Sequence, residues 1–225
     1  MAVQTASSEK TIPISIGYLR AKRIFDVLFT LLLLLPIGVV VAIVAVLIRL
    51  DSKGPVFFRQ RRVGLNGVEF ELFKFRSMYV NSDDSTHREA IKQYMNGDTL
   101  NDEQDSAVPY KLENDPRVTR VGKFIRKTSL DELPQFWNVL RGEMTLVGPR
   151  PPLTYEVELY SPRDWLRLSG KPGLTGNWQV YGRSQVPFQT MVEMDIAYVQ
   201  QQSFWWDLKL IALTLPVMLK GSGGV

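Results

Sequence analysis

"IFDVLFTLLLLLPIGVVVAIVAVLI", residues 24–48, is a run of 25 residues with a single charge, Asp26. As a straight helix it would measure roughly 37 Å, enough to cross a hydrocarbon core of about 30 Å. It is too long for a secretory signal peptide, and no small-residue cleavage pattern follows it. A single crossing anchor is the plain reading. Two features point instead to a segment that enters and leaves a membrane by one face. Pro36 sits mid-run, where a proline removes a backbone donor and crowds the preceding turn. Each half is then roughly 18 Å long, too short to cross alone. Arg20, Lys22 and Arg23 precede the run, and Arg49, Lys53, Arg59, Arg61 and Arg62 follow it. Basic flanks stay on the cytoplasmic side, and here both flanks are basic. We therefore expect a re-entrant helix over 19–50, bent at Pro36, with Asp26 near the interface.

Outward from this run, residues 1–18 read as an N-terminal tail, and 51–225 as one cytoplasmic domain. The chain has 225 residues, 45% of them hydrophobic, so a sizeable core is available. It has no cysteine, which removes disulfides, thiolate metal sites and a cysteine nucleophile. The single histidine, His87, lies in the polar stretch "NSDDSTHREA", which argues against a histidine triad or a zinc site. A net charge of +4 suits an anionic partner, but no nucleic-acid-reading motif is present.

"VFFRQRRV" and "VEFELFKFRSM" alternate like strands around the turn signal "GLNG", which predicts a hairpin. Residues 81–110 form a polar excursion with one helical pattern, "HREAIKQYM". "NDPRVTRVGKFIRKTSLDELPQFWNVLRGEM" predicts two short helices joined at Thr128 and Ser129. The closing "SFWWDLKLIALTLPVML" opens on Trp205 and Trp206 and predicts either an interfacial membrane helix or a buried core helix. The expected fold class is α+β: a membrane re-entrant helix, a small mostly helical catalytic domain with a short β-hairpin, and interfacial amphipathic helices.

"SLDELPQ", residues 129–135, sets Asp131 and Glu132 side by side among bases. Ser129 and Glu132 fit a capping box. If Asp131 is the cap instead, Pro134 falls in the first helical turn at little cost. Either register places both acids at a helix N-terminus, whose dipole favours their ionised forms. Neighbouring side chains diverge by about 100° on a helix, so the two acids suit distinct roles rather than one flat pair. The surrounding cations sit beside stiff turns and strand ends: Lys74 and Arg76 in "KFR", Arg126, Arg150 in "GPRPP", and Arg183 in "YGRS". Arginine forks match phosphate oxygens. Gly173, Gly176 and Gly182 let "KPGLTGNWQVYGR" approach a ligand closely. Carboxylates able to hold a metal, arginines on fixed loops and a membrane segment together point to a diphosphate substrate and a lipid one.

"KRIFDVLFTLLLLLP", "GPVFFRQRRVGLNGVEFELFKFRSM", "NDPRVTRVGKFIRKTSLDELPQFWNVLRGEMTLVGPRPP", "KPGLTGNWQVYGRS" and "DLKLIALTLPVML" resemble the bacterial sugar transferases, or monotopic phosphoglycosyl transferases, from about Lys22 to Leu219. The chain looks like their catalytic core without the N-terminal membrane bundle that some relatives carry. The resemblance implies transfer of a sugar 1-phosphate from a UDP-sugar to undecaprenyl phosphate at the cytoplasmic face of the bacterial inner membrane, with release of UMP. This is the first membrane step of exopolysaccharide, capsule or O-antigen synthesis. The resemblance carries the catalytic Asp-Glu dyad onto Asp131 and Glu132, with Mg2+ as cofactor on the same pair. It carries phosphate binding onto Arg126, Arg150, Arg183 and Lys74, with Arg76 beside them. Asp131 would attack phosphorus to give a covalent phosphosugar-aspartate. A homodimer is compatible with the pattern, and the glycine-rich segment leans toward hexose-transferring relatives. Where relatives often have Ser before the breaking proline, this chain has Leu35. Two rival readings stay open: a metal-dependent transferase with no covalent step, and a non-enzymatic membrane scaffold.

Overall fold

In the computed structural model, which describes residues 15–80, 85–96, 115–182 and 186–219, the apolar run is the centre of one helix, α1 (Ile16–Asp51), 36 residues long. It is long and apolar enough to cross a membrane. The hairpin follows, β1 (Phe57–Val63) antiparallel to β2 (Glu69–Phe75). Its turn uses left-handed backbone at Asn66 (φ 55°) and Gly67 (φ 81°), which asparagine and glycine tolerate best. The predicted helix in the polar excursion is α2 (Ser85–Asn96), anchored by buried Ile91 and Tyr94. Then come α3 (Arg120–Lys127), a 3-10 turn over Leu130–Gln135 and α4 (Phe136–Arg141). The short strand β3 (Thr145–Val147) is followed by α5 (Thr154–Val157). A second 3-10 turn (Asp164–Ser169) precedes β4 (Gly173–Thr175), which pairs parallel with β3. Helices α6 (Phe188–Gln201) and α7 (Phe204–Leu219) are the last elements among the described residues. The architecture is α+β and mostly helical. The parallel β3–β4 pair was not expected.

Helix α1 docks by its two ends. Lys22, Asp26 and Thr30 are buried at one end and Val44 and Ile48 at the other, spaced so that each set shares one helix face. Between them, none of residues 31–43 is buried; Leu32 and Leu35 are 74% and 80% exposed. Pro36 lies inside this helix and does not divide it into the two halves expected. A proline removes one hydrogen bond from the ladder, and here each flank is held independently. Val44 and Ile48 pack with Phe75 and Ile125. Phe25 and Phe29 pack on a second cluster built from Leu72, Val139, Met144, Leu146, Val147, Tyr198 and Leu210.

The polar groups of α1 are spent inward. Asp26 accepts from Thr145 Oγ1 (2.5 Å) and Leu146 N (3.2 Å) on β3, instead of facing an interface. Arg23 donates to the carbonyls of Val139 (2.6 Å) and Leu140 (2.8 Å), capping the C-terminal end of α4. Asp51 accepts from Val121 N (3.1 Å) at the start of α3. Lys22 Nζ pairs with Asp207 of α7 at 2.5 Å, and the Tyr198 and Tyr18 hydroxyls donate to the same carboxylate at 2.6 and 2.8 Å. In α7, Asp207 and Leu210 face inward while Trp205 (79% exposed) and Leu215 (62%) face outward, so the helix serves as both core and surface.

Removing one partner of a buried pair leaves an uncompensated charge, at a cost of roughly 3–5 kcal/mol. Asp207→Ala should therefore lower thermal stability in detergent markedly. Lys22→Met combined with Asp207→Leu should lose less than Asp207→Ala alone. A double variant that melts below the single one would show that the pair is not the unit of stabilisation.

Candidate active site

The left-handed backbone at Ser129 (φ 56°) turns the chain out of α3 into the 3-10 segment. Ser129 makes no side-chain cap, so of the two registers the sequence left open the capping box is absent; a positive φ takes its hydroxyl out of capping geometry. Asp131 and Glu132 instead occupy the first turn of the tighter helix. Successive side chains leave the backbone about 120° apart there, yet both carboxylates come within 4 Å of one Lys74 ammonium.

Strand β2 delivers the cation between them. Lys74 Nζ donates to Glu132 Oε1 at 2.8 Å and lies 3.9 Å from Asp131 Oδ2. Asn138, fully buried in α4, holds that strand in place. Its amide donates to Glu71 O (2.6 Å) and accepts from Phe73 N (3.1 Å), so one side chain completes the hydrogen bonding of β2 beside Lys74.

Burial pushes both carboxyls up, and the neighbouring cations separate them. Asp131 is 5% exposed, and desolvation pushes its carboxyl up to about 6 against the pull of Lys74, Arg126 and Arg150. Burial also acts upward on Glu132, but Lys74, Arg150 and Arg62 outweigh it and hold that carboxyl well below the usual range. The helix dipole was expected to favour the ionised form of both. At Asp131 desolvation wins.

A cleft beside the dyad is lined by Arg62, Lys74, Arg150, Glu132, Gln135 and Gln179. Arg150 stands on the Pro149–Pro152 loop directly after β3, its guanidinium 5.7 Å from the centre of the Trp178 ring. Arg126 sits half-buried in the last turn of α3, where its charge acts on Asp131. Arg183 lies outside the described residues. Arg76 does not reach the cleft. Its Nη2 donates to Ser52 O (2.7 Å) and Ser52 Oγ (2.9 Å) at the C-terminal end of α1, so it caps that helix rather than meeting a phosphate.

Arg62, Gln135 and Gln179 were not anticipated. A signal for Arg62 existed, because strand alternation separates it from Arg59 and Arg61. Those two face solvent opposite Glu71 and Glu69. Arg62 is buried, and its guanidinium is lowered to about 10 by desolvation and by the neighbouring Arg150. Gln179 Oε1 is buried without a hydrogen-bond partner among the described residues.

Among the described residues no group of three acids or histidines converges to cage a metal. Two adjacent carboxylates beside a cationic cleft do fit magnesium, which takes one or two protein carboxylates and completes its shell with substrate phosphate and water. Asp131 and Glu132 are the pair that would hold it.

The family model for bacterial sugar transferases matches residues 17–221. The galactosyl transferase CpsE of Streptococcus agalactiae serotype III (strain NEM316) is 47% identical over 208 residues, covering 92% of this chain and 44% of that protein. The undecaprenyl-phosphate galactose phosphotransferase of Salmonella typhimurium (strain LT2) is 40% identical, covering 90% of this chain and 41% of that protein. The exopolysaccharide production protein ExoY of Rhizobium meliloti (strain 1021) is 40% identical over 229 residues, covering 99% of this chain and 98% of that protein. The chain thus spans less than half of the first two relatives and nearly all of the third.

In the metal-free protein, carboxylate NMR should find Asp131 titrating near 6. Lys74→Met removes a cation that favours the ionised form, so the titration should move to higher pH. An unchanged or lower value in the variant would mean that Lys74 does not act on Asp131.

Proposed function

The chain belongs to the bacterial sugar transferase family, and on that premise we propose that it transfers a hexose 1-phosphate from a UDP-hexose to undecaprenyl phosphate, initiating exopolysaccharide, capsule or O-antigen synthesis. One observation carries the reading: Glu132 lines a cleft with Arg62, Lys74 and Arg150, and the buried carboxylate of Asp131 lies just behind that lining, 3.9 Å from Lys74 Nζ. Phosphoryl transfer needs positioning and charge stabilisation more than elaborate covalent chemistry, and this arrangement supplies both.

Asp131 attacks the β-phosphorus of the donor. The bond to the UMP oxygen breaks, UMP leaves, and a phosphosugar-aspartate remains. Arg150, Arg126 and Lys74 hold the phosphate oxygens, Arg150 through its planar fork. The lipid phosphate then attacks the same phosphorus and frees the carboxylate. Glu132, kept ionised by Lys74, takes the proton from the incoming lipid phosphate. Magnesium held by Asp131 and Glu132 would neutralise charge on the diphosphate.

The membrane reading follows from how α1 docks. Its two ends pack on the same domain, and residues 31–43 between the two docked faces include no buried side chain, while Ile24, Leu28, Val46 and Leu50 are exposed on the outer face of the docked ends. Thirteen residues span roughly 20 Å, short of the ~30 Å hydrocarbon core. This supports a helix that dips into one leaflet, curving where Pro36 forfeits a hydrogen bond, with both flanks and the catalytic domain on the cytoplasmic face of the inner membrane.

Asp131→Asn should cut transfer of radiolabel from UDP-hexose to lipid by several powers of ten. It should not cost stability at neutral pH. The folded carboxyl is raised from 3.8 to about 6, so its stabilising contribution is present below the unfolded value and lost as pH rises through about 6. A neutral amide escapes that loss. Near wild-type transfer by Asp131→Asn would end the role assigned to it.

Because the chain has no cysteine, topology is open to single-cysteine labelling. Ser7→Cys and Ser85→Cys should both resist an impermeant thiol reagent until cells are opened. Labelling of Ser7→Cys in intact cells would show a crossing helix.

A further inference from the structure

The Pro149–Pro152 loop can accept hydrogen bonds but scarcely donate them, since three of its four residues are proline. All four of its carbonyls are nevertheless engaged. Pro149 O accepts from Gly173 N (2.9 Å) and Pro152 O from Val63 N (3.0 Å). Pro151 O accepts from Arg62 Nη1 (2.9 Å). Arg150 O accepts from Nη2 of Arg167 (3.2 Å), a residue the transfer mechanism does not use.

Arg167 is 1% exposed. Its Nη2 also pairs with Asp195 of α6 at 2.5 Å, and its Nη1 donates to the Tyr160 hydroxyl at 2.8 Å. Three elements thereby aim one guanidinium at one carbonyl: the 3-10 turn that carries Arg167, the helix that carries Asp195, and the segment holding Tyr160. A fixed carbonyl at residue 150 fixes the peptide plane that follows it, and with it the direction in which the Arg150 side chain leaves the backbone. That side chain stands over Trp178 at the cleft.

We infer that Arg167 is a positioning residue for Arg150, its guanidinium holding the main chain of the proline loop so that the Arg150 fork meets the donor diphosphate in register. The inference rests on the transferase reading above. The bland alternative is that Arg167 and Asp195 form a buried ion pair that stabilises the core and does nothing particular for Arg150.

A double-mutant cycle separates the two. Arg167→Lys keeps a positive charge opposite Asp195, but one ammonium cannot reproduce the planar fork that also reaches Tyr160 and Arg150 O. The expected fall in kcat/KM for the UDP-hexose is roughly 10- to 100-fold, the scale of a misplaced catalytic group. In an Arg150→Ala background the same substitution should change kcat/KM, and the Kd for UDP, by less than about twofold. The loss in Tm should be alike in both backgrounds. Tyr160→Phe, which removes a single hydroxyl from Arg167, is the gentler second variant, with a smaller fall that also vanishes in the Arg150→Ala background. If Arg150→Ala is impaired and either substitution lowers kcat/KM by the same factor in both backgrounds, the transferase reading stands and this inference is overturned. If Arg150→Ala itself turns over like the wild type, the role of Arg150 falls and takes the inference with it.

Discussion

The constraint on which the structure depends is the carboxylate of Asp26, a charge on an otherwise apolar helix. In hydrocarbon such a group is costly unless the protein satisfies it. Here it accepts from Thr145 and from the backbone of Leu146. That contact fastens α1 to β3, and β3 runs directly into the loop carrying Arg150. The other polar groups of α1 follow the same logic: Arg23 closes the end of α4, Asp51 the start of α3, and Lys22 joins α7. The long apolar helix therefore ties together the elements that carry the dyad and its arginines.

Within that frame the site sets rigidity against stability. Asp131 is held where water cannot solvate it fully, which leaves a carboxylate at an energetic disadvantage relative to its unfolded state. Lys74 offsets part of that disadvantage while bonding to Glu132 rather than to Asp131. Lys74 thus favours the ionised form of Asp131 without a short hydrogen bond to it. The proline loop adds stiffness from the backbone side, with every carbonyl from Pro149 to Pro152 anchored. A group fixed this way loses little freedom when a phosphate arrives.

Much of this was legible in the chain. The apolar run, the strand alternation around "GLNG" and the acids of "SLDELPQ" rest on local pattern, and local pattern placed α1, the hairpin and the junction between α3 and the dyad. What escaped depends on distant partners. The β3–β4 pair joins two three-residue strands 28 positions apart in register, Thr145 with Gly173, and neither strand is long enough to show a period. Lys22 and Asp207 are 185 residues apart. Arg62 and Arg76 look alike in a string of bases. Which of them faces the cleft is decided by hairpin register and by the unpaired carbonyls at the end of α1, and neither is written locally. Pro36 was read as a bend because proline chemistry is local, whereas the docking of both flanks within one helix, Ile16–Asp51, is tertiary.

The central claim is that Asp131 becomes covalently linked to the sugar phosphate. The most direct measurement is intact-protein mass spectrometry of the wild-type chain mixed with UDP-hexose and magnesium in the absence of lipid acceptor, followed by peptide mapping. The account predicts a mass increase equal to one hexose phosphate, located on the peptide containing Asp131, released as UMP accumulates in equal amount, and discharged when undecaprenyl phosphate is added. No adduct, with UMP formed only when both substrates are present, would contradict it and establish direct transfer in a ternary complex.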